Sequence, residues 1–162
     1  MEPVKYVDLL NQRYRQQGFP PYRWTVNTDT TFTQLRKPLS ECRVSMLTSG
    51  GVSHCSMPRW DAYAKNDFRL DVVNANSDAH DFSVNDSYYD TADASVDINC
   101  VFPIDRLREL AEDGVIGSVA DRLWSGFMGR IYSRTKVLEE SAPALAAELN
   151  NDGVDLFLLV PA

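Results

Sequence analysis

The chain has 162 residues, 44% hydrophobic and 24% charged, with a formal net charge of −7 and a pI near 4.7. That length suits one domain with a proper core; the acidic balance argues against a nucleic-acid surface, which needs a concentrated basic face; and no apolar run approaches the roughly 20 residues that cross a bilayer. No signal-peptide h-region opens the chain, and Cys42, Cys55 and Cys100 show no disulfide-like spacing, so a reducing, cytoplasmic setting is expected.

Residues 4–17 carry Val4, Tyr6, Val7, Leu9, Leu10 and Tyr14 in a helix-compatible pattern that stops at Gly18. Pro20 and Pro21 then forbid helix and favour an extended strap, with Phe19, Tyr22 and Trp24 expected to lie over the domain. Arg13, Arg15, Arg23, Arg36, Lys37 and Arg43 give this quarter a positive bias, read as a solvated face or a patch for an acidic partner protein. Residues 1–37 are thus expected to form a helix and strap, and residues 38–162 the main α/β domain.

The first clear strand spans residues 43–47 and ends in Thr48, Ser49, Gly50, Gly51 and Val52. In open α/β sheets ligands bind at this edge, and glycines let backbone N–H groups approach an anion. The run matches neither the dinucleotide fingerprint nor a P-loop, so no cofactor is expected; a ligand-contacting loop and a plain tight turn both stay open. His54 beside Cys55 invites a metal or nucleophile reading, but one adjacent pair does not easily close a tetrahedral site. His80 could be a third ligand only if the fold brings it close. Ordinary loop residues are the competing account, and no metal is expected.

Residues 67–73 alternate as a second strand, and residues 74–87, rich in Asn, Asp and Ser without an apolar face, read as a functional or mobile loop. A short helical segment is expected over 88–94. Of the many acids between Asp67 and Asp97, Asp90 with Tyr88 and Tyr89 offers the best site candidates, the others being read as solvated.

Residues 98–102 form a short apolar run between Asp97 and Pro103, expected as a strand buried on both faces, with Cys100 an inert core residue. Pro103 suits a first helical position, and Ile104, Leu107, Leu110 and Ala111 make one apolar stripe up to a stop at Gly114. A helix capped by Ser118 is expected to run to about Gly129, and another over 136–150 to begin at Pro143 or kink there. Residues 154–160 (VDLFLLV) read as a buried strand. The elements together predict a three-layer α/β domain, Rossmann-like or flavodoxin-like, with a short, mainly parallel sheet of about four strands.

Four stretches taken in order, LTSGGV at 47–52, NDFRL at 66–70, YYDTADASVDINCVFPIDRLRELAEDGVIG at 88–117 and GVDLFLLVP at 153–161, resemble the selenoprotein B family of glycine, sarcosine, betaine and D-proline reductases, especially its short stand-alone members. The resemblance implies reductive cleavage of a carbon–nitrogen bond in a small amino acid or betaine-like substrate. It implies a selenocysteine or cysteine nucleophile, restored by a thiol-based reductant, soon after the strand that resembles VDLFLLVP. Because the sequence ends at Ala162, the catalytic residue is expected just beyond it, behind a UGA codon read as stop. Carried over residue by residue, Ser49, Gly50 and Gly51 would line the substrate end of the sheet, Arg69 would pair with a carboxylate, and Tyr89 and Asp90 would contact an ammonium. Tyr88 stands where relatives often carry a histidine, which weakens a proton-transfer role there. Assembly as a homo-oligomer or with other reductase subunits is expected, and the rival reading is a non-catalytic small-molecule-binding or assembly subunit.

Overall fold

The computed structural model describes residues 6–21, 28, 29 and 33–162, in two compact units, Met1–Gln34 and Leu35–Ala162. In the first unit, helix α1 (Tyr6–Gln16) ends where Gly18 takes φ +81°. The Phe19 N–H reaches back to the Tyr14 carbonyl at 3.0 Å, the 6→1 bond of a Schellman stop, and the Tyr14 and Phe19 rings meet edge to face at 5.9 Å. The strap residues Tyr22 and Trp24 lie outside the described residues.

The second unit runs β1 (Arg43–Thr48), β2 (Val52–His54), β3 (Leu70–Asn74), β4 (Phe82–Val84), α2 (Ala92–Val96), α3 (Ile104–Glu112), β5 (Ser118–Val119), β6 (Arg122–Gly126), α4 (Arg134–Lys136), α5 (Ala142–Asn151) and β7 (Leu156–Val160). One-turn 3₁₀ helices occupy Leu39–Glu41, Ala79–Asp81 and Ile98–Cys100. β1 is the centre of a five-stranded sheet. It pairs in parallel with β7 on one side and with β5 and then β6 on the other, while β3 closes the far edge antiparallel to β6. β2 and β4 form a separate antiparallel ribbon.

Strand alternation sorts the core into two layers. Val44 and Met46 of β1, Val73 of β3 and Leu123 of β6 join Ile104 and Leu107 of α3, with Phe102 and Ile98, in one buried cluster. Leu47 of β1 and Trp124 of β6 face the other way onto Leu145 of α5. A mainly parallel sheet with helices on both faces is the predicted three-layer architecture, with one more strand than expected.

Four elements differ from the sequence reading. Residues 98–102 form no strand: Asp97 Oδ1 accepts the Asn99 N–H at 2.9 Å, and the Val101 and Phe102 N–H groups both bond the Ile98 carbonyl, so a capped turn inserts Ile98, Val101 and Phe102 into the core. Cys100 is consequently exposed, and Cys42 is the buried cysteine. Residues 118–126 are strands, because Leu123 and Trp124 feed opposite faces of the sheet and the Ala120 N–H bonds the Val44 carbonyl at 2.8 Å. The polar stretch 74–87 contains β4, whose Phe82 and Val84 pack on the first cluster. β7, read as buried, is an edge strand with Leu159 62% exposed. Pro143 is accommodated by a π-helical turn over Val137–Ser141, whose wider ladder ends just before the residue that lacks an N–H.

Several carboxylates hold the unit together. The Asn99 side chain and then Arg108 hold Asp105 below the usual carboxylate range, Arg122 does the same for Asp152, and the Arg43 N–H followed by Lys37 does so for Asp155. A depressed folded pKa means stabilisation that is present above the unfolded value and lost as pH falls through the folded one. Asp71, pushed up by burial with Arg69 opposing, has the opposite sign. Because the depressed groups outnumber it, the urea midpoint is expected to fall steadily on acidification from about pH 5; a midpoint that is flat or rises over that range would contradict these assignments. Lys37 and Arg43, part of the predicted basic patch, are already paired with Asp155 and Asp121.

Candidate functional site

The turn after β1 is held from three directions. Thr48 Oγ1 accepts the Gly50 N–H at 3.0 Å, the Ser49 N–H donates to the Val160 carbonyl at 3.2 Å, and the Tyr89 hydroxyl donates to the Gly50 carbonyl at 2.8 Å. The Gly51 carbonyl accepts the Asn85 N–H at 2.9 Å, which fastens the turn to the end of β4. The Ser49 and Gly50 N–H groups are therefore used inside the protein rather than held open for an anion. What the turn presents instead is the half-buried Ser49, whose Oγ accepts the Ala162 N–H at 3.3 Å. Ser49 also lines an apolar cavity of about 500 Å³ between α5 and the sheet, walled by Leu47, Leu145, Leu149, Phe157 and Leu159.

Tyr89 is positioned as a neutral donor. Burial, with Asp86 adding to it, pushes its hydroxyl up to about 12, so the proton that binds Gly50 is retained through the physiological range. Asp90 is exposed, and its Oδ1 accepts the Ala92 N–H at 3.0 Å, the local bond expected of an acid at a helix start. The structure thus brings Ser49, Gly50, Gly51 and Tyr89 together. Tyr88 lies under Arg130, whose guanidinium is 5.0 Å from its ring.

Arg69 is occupied on several sides. Its guanidinium stacks 3.7 Å over the buried Trp60 ring, one terminal nitrogen donates to the Pro58 carbonyl at 3.1 Å, and Nε approaches Asp71 at 3.1 Å. The last contact, to Oδ1, is an ion pair outside hydrogen-bond geometry, since Arg69 Nε has no hydrogen-bond partner. Trp60 in turn donates from Nε1 to the Val52 carbonyl at 2.9 Å, so one buried ring links Arg69 to the strand that leaves the glycine turn.

His80, which could join His54 and Cys55 only if the fold brought it close, instead has its Nδ1 2.8 Å from Asp78. The residue that does come close is Asp81: one donor atom each from His54, Cys55 and Asp81 lie within 4.8 Å of one another.

Comparison with known proteins decides the family. Residues 5–162 match the family described as glycine/sarcosine/betaine reductase selenoprotein B (GRDB). The chain belongs to the selenoprotein B family. Its relatives include the D-proline reductase subunit gamma of Acetoanaerobium sticklandii, 35% identical over 140 residues that make up 86% of this chain and 53% of that protein. Another is the sarcosine reductase complex component B subunit beta of Peptoclostridium acidaminophilum, 34% identical over 76% of this chain and 28% of that protein. The chain thus matches about half or less of the length of these relatives. No solved structure matches it significantly. No described helix is long and apolar enough to cross a membrane.

Within this selenoprotein B chain, Trp60 and Asn85 escaped the sequence reading, and Asp81 reads there only as one of the solvated acids. Trp60 and Asn85 sit in polar, aperiodic stretches where pattern carries no signal. Asp81 could have been found only by pairing β2 with β4, and the Asn- and Ser-rich surroundings of β4 concealed its alternation.

Proposed function

We propose that this chain forms the substrate-handling domain of a reductase component acting on glycine, sarcosine, betaine or D-proline type substrates, in which a selenol or thiol supplied just after Ala162 cleaves the carbon–nitrogen bond. The observation that carries this reading is the bond from the Ala162 N–H to Ser49 Oγ. A residue following Ala162 starts beside the glycine turn and the mouth of the apolar cavity. In open α/β sheets that carboxyl edge is the ligand-binding edge.

In this reading the anionic nucleophile attacks the substrate carbon, the carbon–nitrogen bond breaks, and the amine leaves with a proton. A thiol-based reductant then supplies the two electrons that release the reduced carbon fragment and restore the nucleophile. Ser49, Gly50 and Gly51 line the reacting end, Tyr89 and Asp90 face the amine, and Arg69 offers the carboxylate its positive charge and the terminal nitrogen that does not bond Pro58. The cavity takes the methyl groups or ring of an N-alkylated substrate. Partners of this reading are the reductant, further reductase subunits or a second copy of the chain; no cofactor enters it.

The test is the DNA after the Ala162 codon together with ligand binding. An in-frame UGA followed by coding sequence with a nearby cysteine is expected, and the chain extended through it should turn over one of these substrates with a dithiol reductant. Any other stop codon defeats the nucleophile assignment; if the 162-residue chain then still binds a betaine-like ligand, the non-catalytic binding or assembly subunit is the correct reading. By calorimetry, Tyr89→Phe is expected to weaken that binding while lowering stability by about 1 kcal/mol, the worth of one hydrogen bond. Unchanged affinity would remove Tyr89 from the site.

A further inference from the structure

His54, Cys55 and Asp81 converge on one edge of the β2–β4 ribbon, and none of the roles proposed above uses them. The ribbon fixes their backbones: His54 is in register with Phe82, and the Cys55 N–H donates to the Asp81 carbonyl at 2.7 Å. The His54 ring rests edge on against Phe82 at 5.3 Å, and its side chain is 21% exposed against 52% for Asp81. His54 Nε2 is 3.9 Å from Asp81 Oδ2, and Cys55 Sγ is 3.9 Å from His54 Nδ1.

The first separation is too long for a direct N–H···O bond. It is close to the spacing that a tetrahedral ion imposes, since ligand bonds of about 2.0–2.3 Å put neighbouring donor atoms roughly 3.3–3.8 Å apart, and one donor atom from each of the three residues lies within 4.8 Å of the other two. In the free ring His54 Nδ1 accepts the Ser56 N–H at 3.2 Å; for a cation to bind Nε2 the ring proton moves to Nδ1, where Ser56 Oγ at 2.7 Å can accept it. An outer group of this kind fixes the tautomer of a ligating histidine.

We propose that His54, Cys55 and Asp81 form a binding site for a borderline-soft divalent cation of the zinc class. A thiolate, an imidazole and a carboxylate exclude magnesium and calcium by ligand softness. Three protein ligands, one of them an exposed cysteine, leave a fourth position for water or the carboxylate of a small molecule, the arrangement of an open rather than a structural zinc site. The proposal is independent of the reductase reading and holds for the 162-residue chain alone.

Cobalt(II) is the probe. Titration of the untagged, metal-free chain is expected to give a thiolate-to-cobalt charge-transfer band in the near ultraviolet that saturates at one equivalent, with four-coordinate visible bands, and zinc should abolish both. Cys55→Ser should lose the charge-transfer band. His54→Gln and Asp81→Asn should each weaken binding at least about tenfold, with unchanged far-ultraviolet circular dichroism. His80→Gln should leave the titration as it was. Absence of the band at saturating cobalt, its survival in Cys55→Ser, or an affinity indifferent to both His54→Gln and Asp81→Asn would overturn the proposal.

Discussion

Gly51→Ala is expected to lower the stability of the domain by about 3 kcal/mol or more, from strain in the left-handed region plus a backbone collision. Gly51 has φ +67°, and a Cβ built on it would lie 2.5 Å from the Asn85 carbonyl oxygen and 2.9 Å from its carbon, both backbone atoms. The neighbour cannot yield cheaply, because the Asn85 N–H is what bonds the Gly51 carbonyl at 2.9 Å, and that bond fastens the β2–β4 ribbon to the turn. Gly153 supplies the comparison within the same chain: its φ is +66°, yet nothing lies within 4 Å of the added atom. Gly153→Ala should therefore cost only the conformational penalty, about 1 kcal/mol. Urea denaturation of the two variants measures the difference. Equal losses would mean that the collision with Asn85 relaxes away and that the turn is looser than its contacts imply.

How much was legible in the sequence follows from where the information is local. β1 was read within one residue of its end because five of its six residues are buried and the glycines that follow mark the stop. α3 was read because its stripe, its leading proline and Gly114 agree with one another. The stretch 98–102 defeated the same logic. Ile98, Val101 and Phe102 are buried as predicted and Cys100 is not, because a turn can bury those three as well as a strand can. What selected the turn is polar: Asp97 takes the Asn99 N–H, and the Asn99 amide donates to Asp105 at 2.9 Å. Likewise, the apolar spacing of residues 119–127 suits helix or strand, and only β1 and β3 on either side of β6 choose between them.

The candidate site was legible in its chemistry and not in its wiring. Ser49, Gly50, Gly51 and Tyr89 were named from residue type and family wording, and the structure joins them through the Tyr89 hydroxyl. Whether the glycines make a ligand-contacting loop or a plain tight turn depends on where the N–H groups point, and those of Ser49 and Gly50 turn inward to Val160 and Thr48. Arg69 was named without its packing, which is set by a tryptophan nine residues earlier in a stretch with no periodicity.

That tryptophan is expected to be the most costly side chain to remove near the site. Trp60 is 1% exposed, and Trp60→Ala should cost about 3–5 kcal/mol, the usual loss for a buried aromatic replaced by alanine. Trp60→Phe keeps most of the ring and deletes only the Nε1 donor. The Val52 carbonyl still accepts the Ser125 hydroxyl at 2.7 Å, so this variant should lose only about 1 kcal/mol. Adding Ser125→Ala then strips the buried carbonyl of both side-chain donors, and the double variant should lose more than the two single losses combined, because a buried acceptor without a partner costs about 1–3 kcal/mol. Strict additivity would show that another donor replaces them. The same series separates packing from function. The guanidinium of Arg69 stacks on this ring, and a phenyl ring preserves a face for it whereas alanine does not. If Arg69 meets the substrate carboxylate, Trp60→Ala should weaken ligand binding far more than Trp60→Phe, measured well below the urea midpoint of each variant. Equal affinities would leave Arg69 a structural cation, tied to Asp71 and the Pro58 carbonyl, and would move carboxylate recognition elsewhere on the sheet edge.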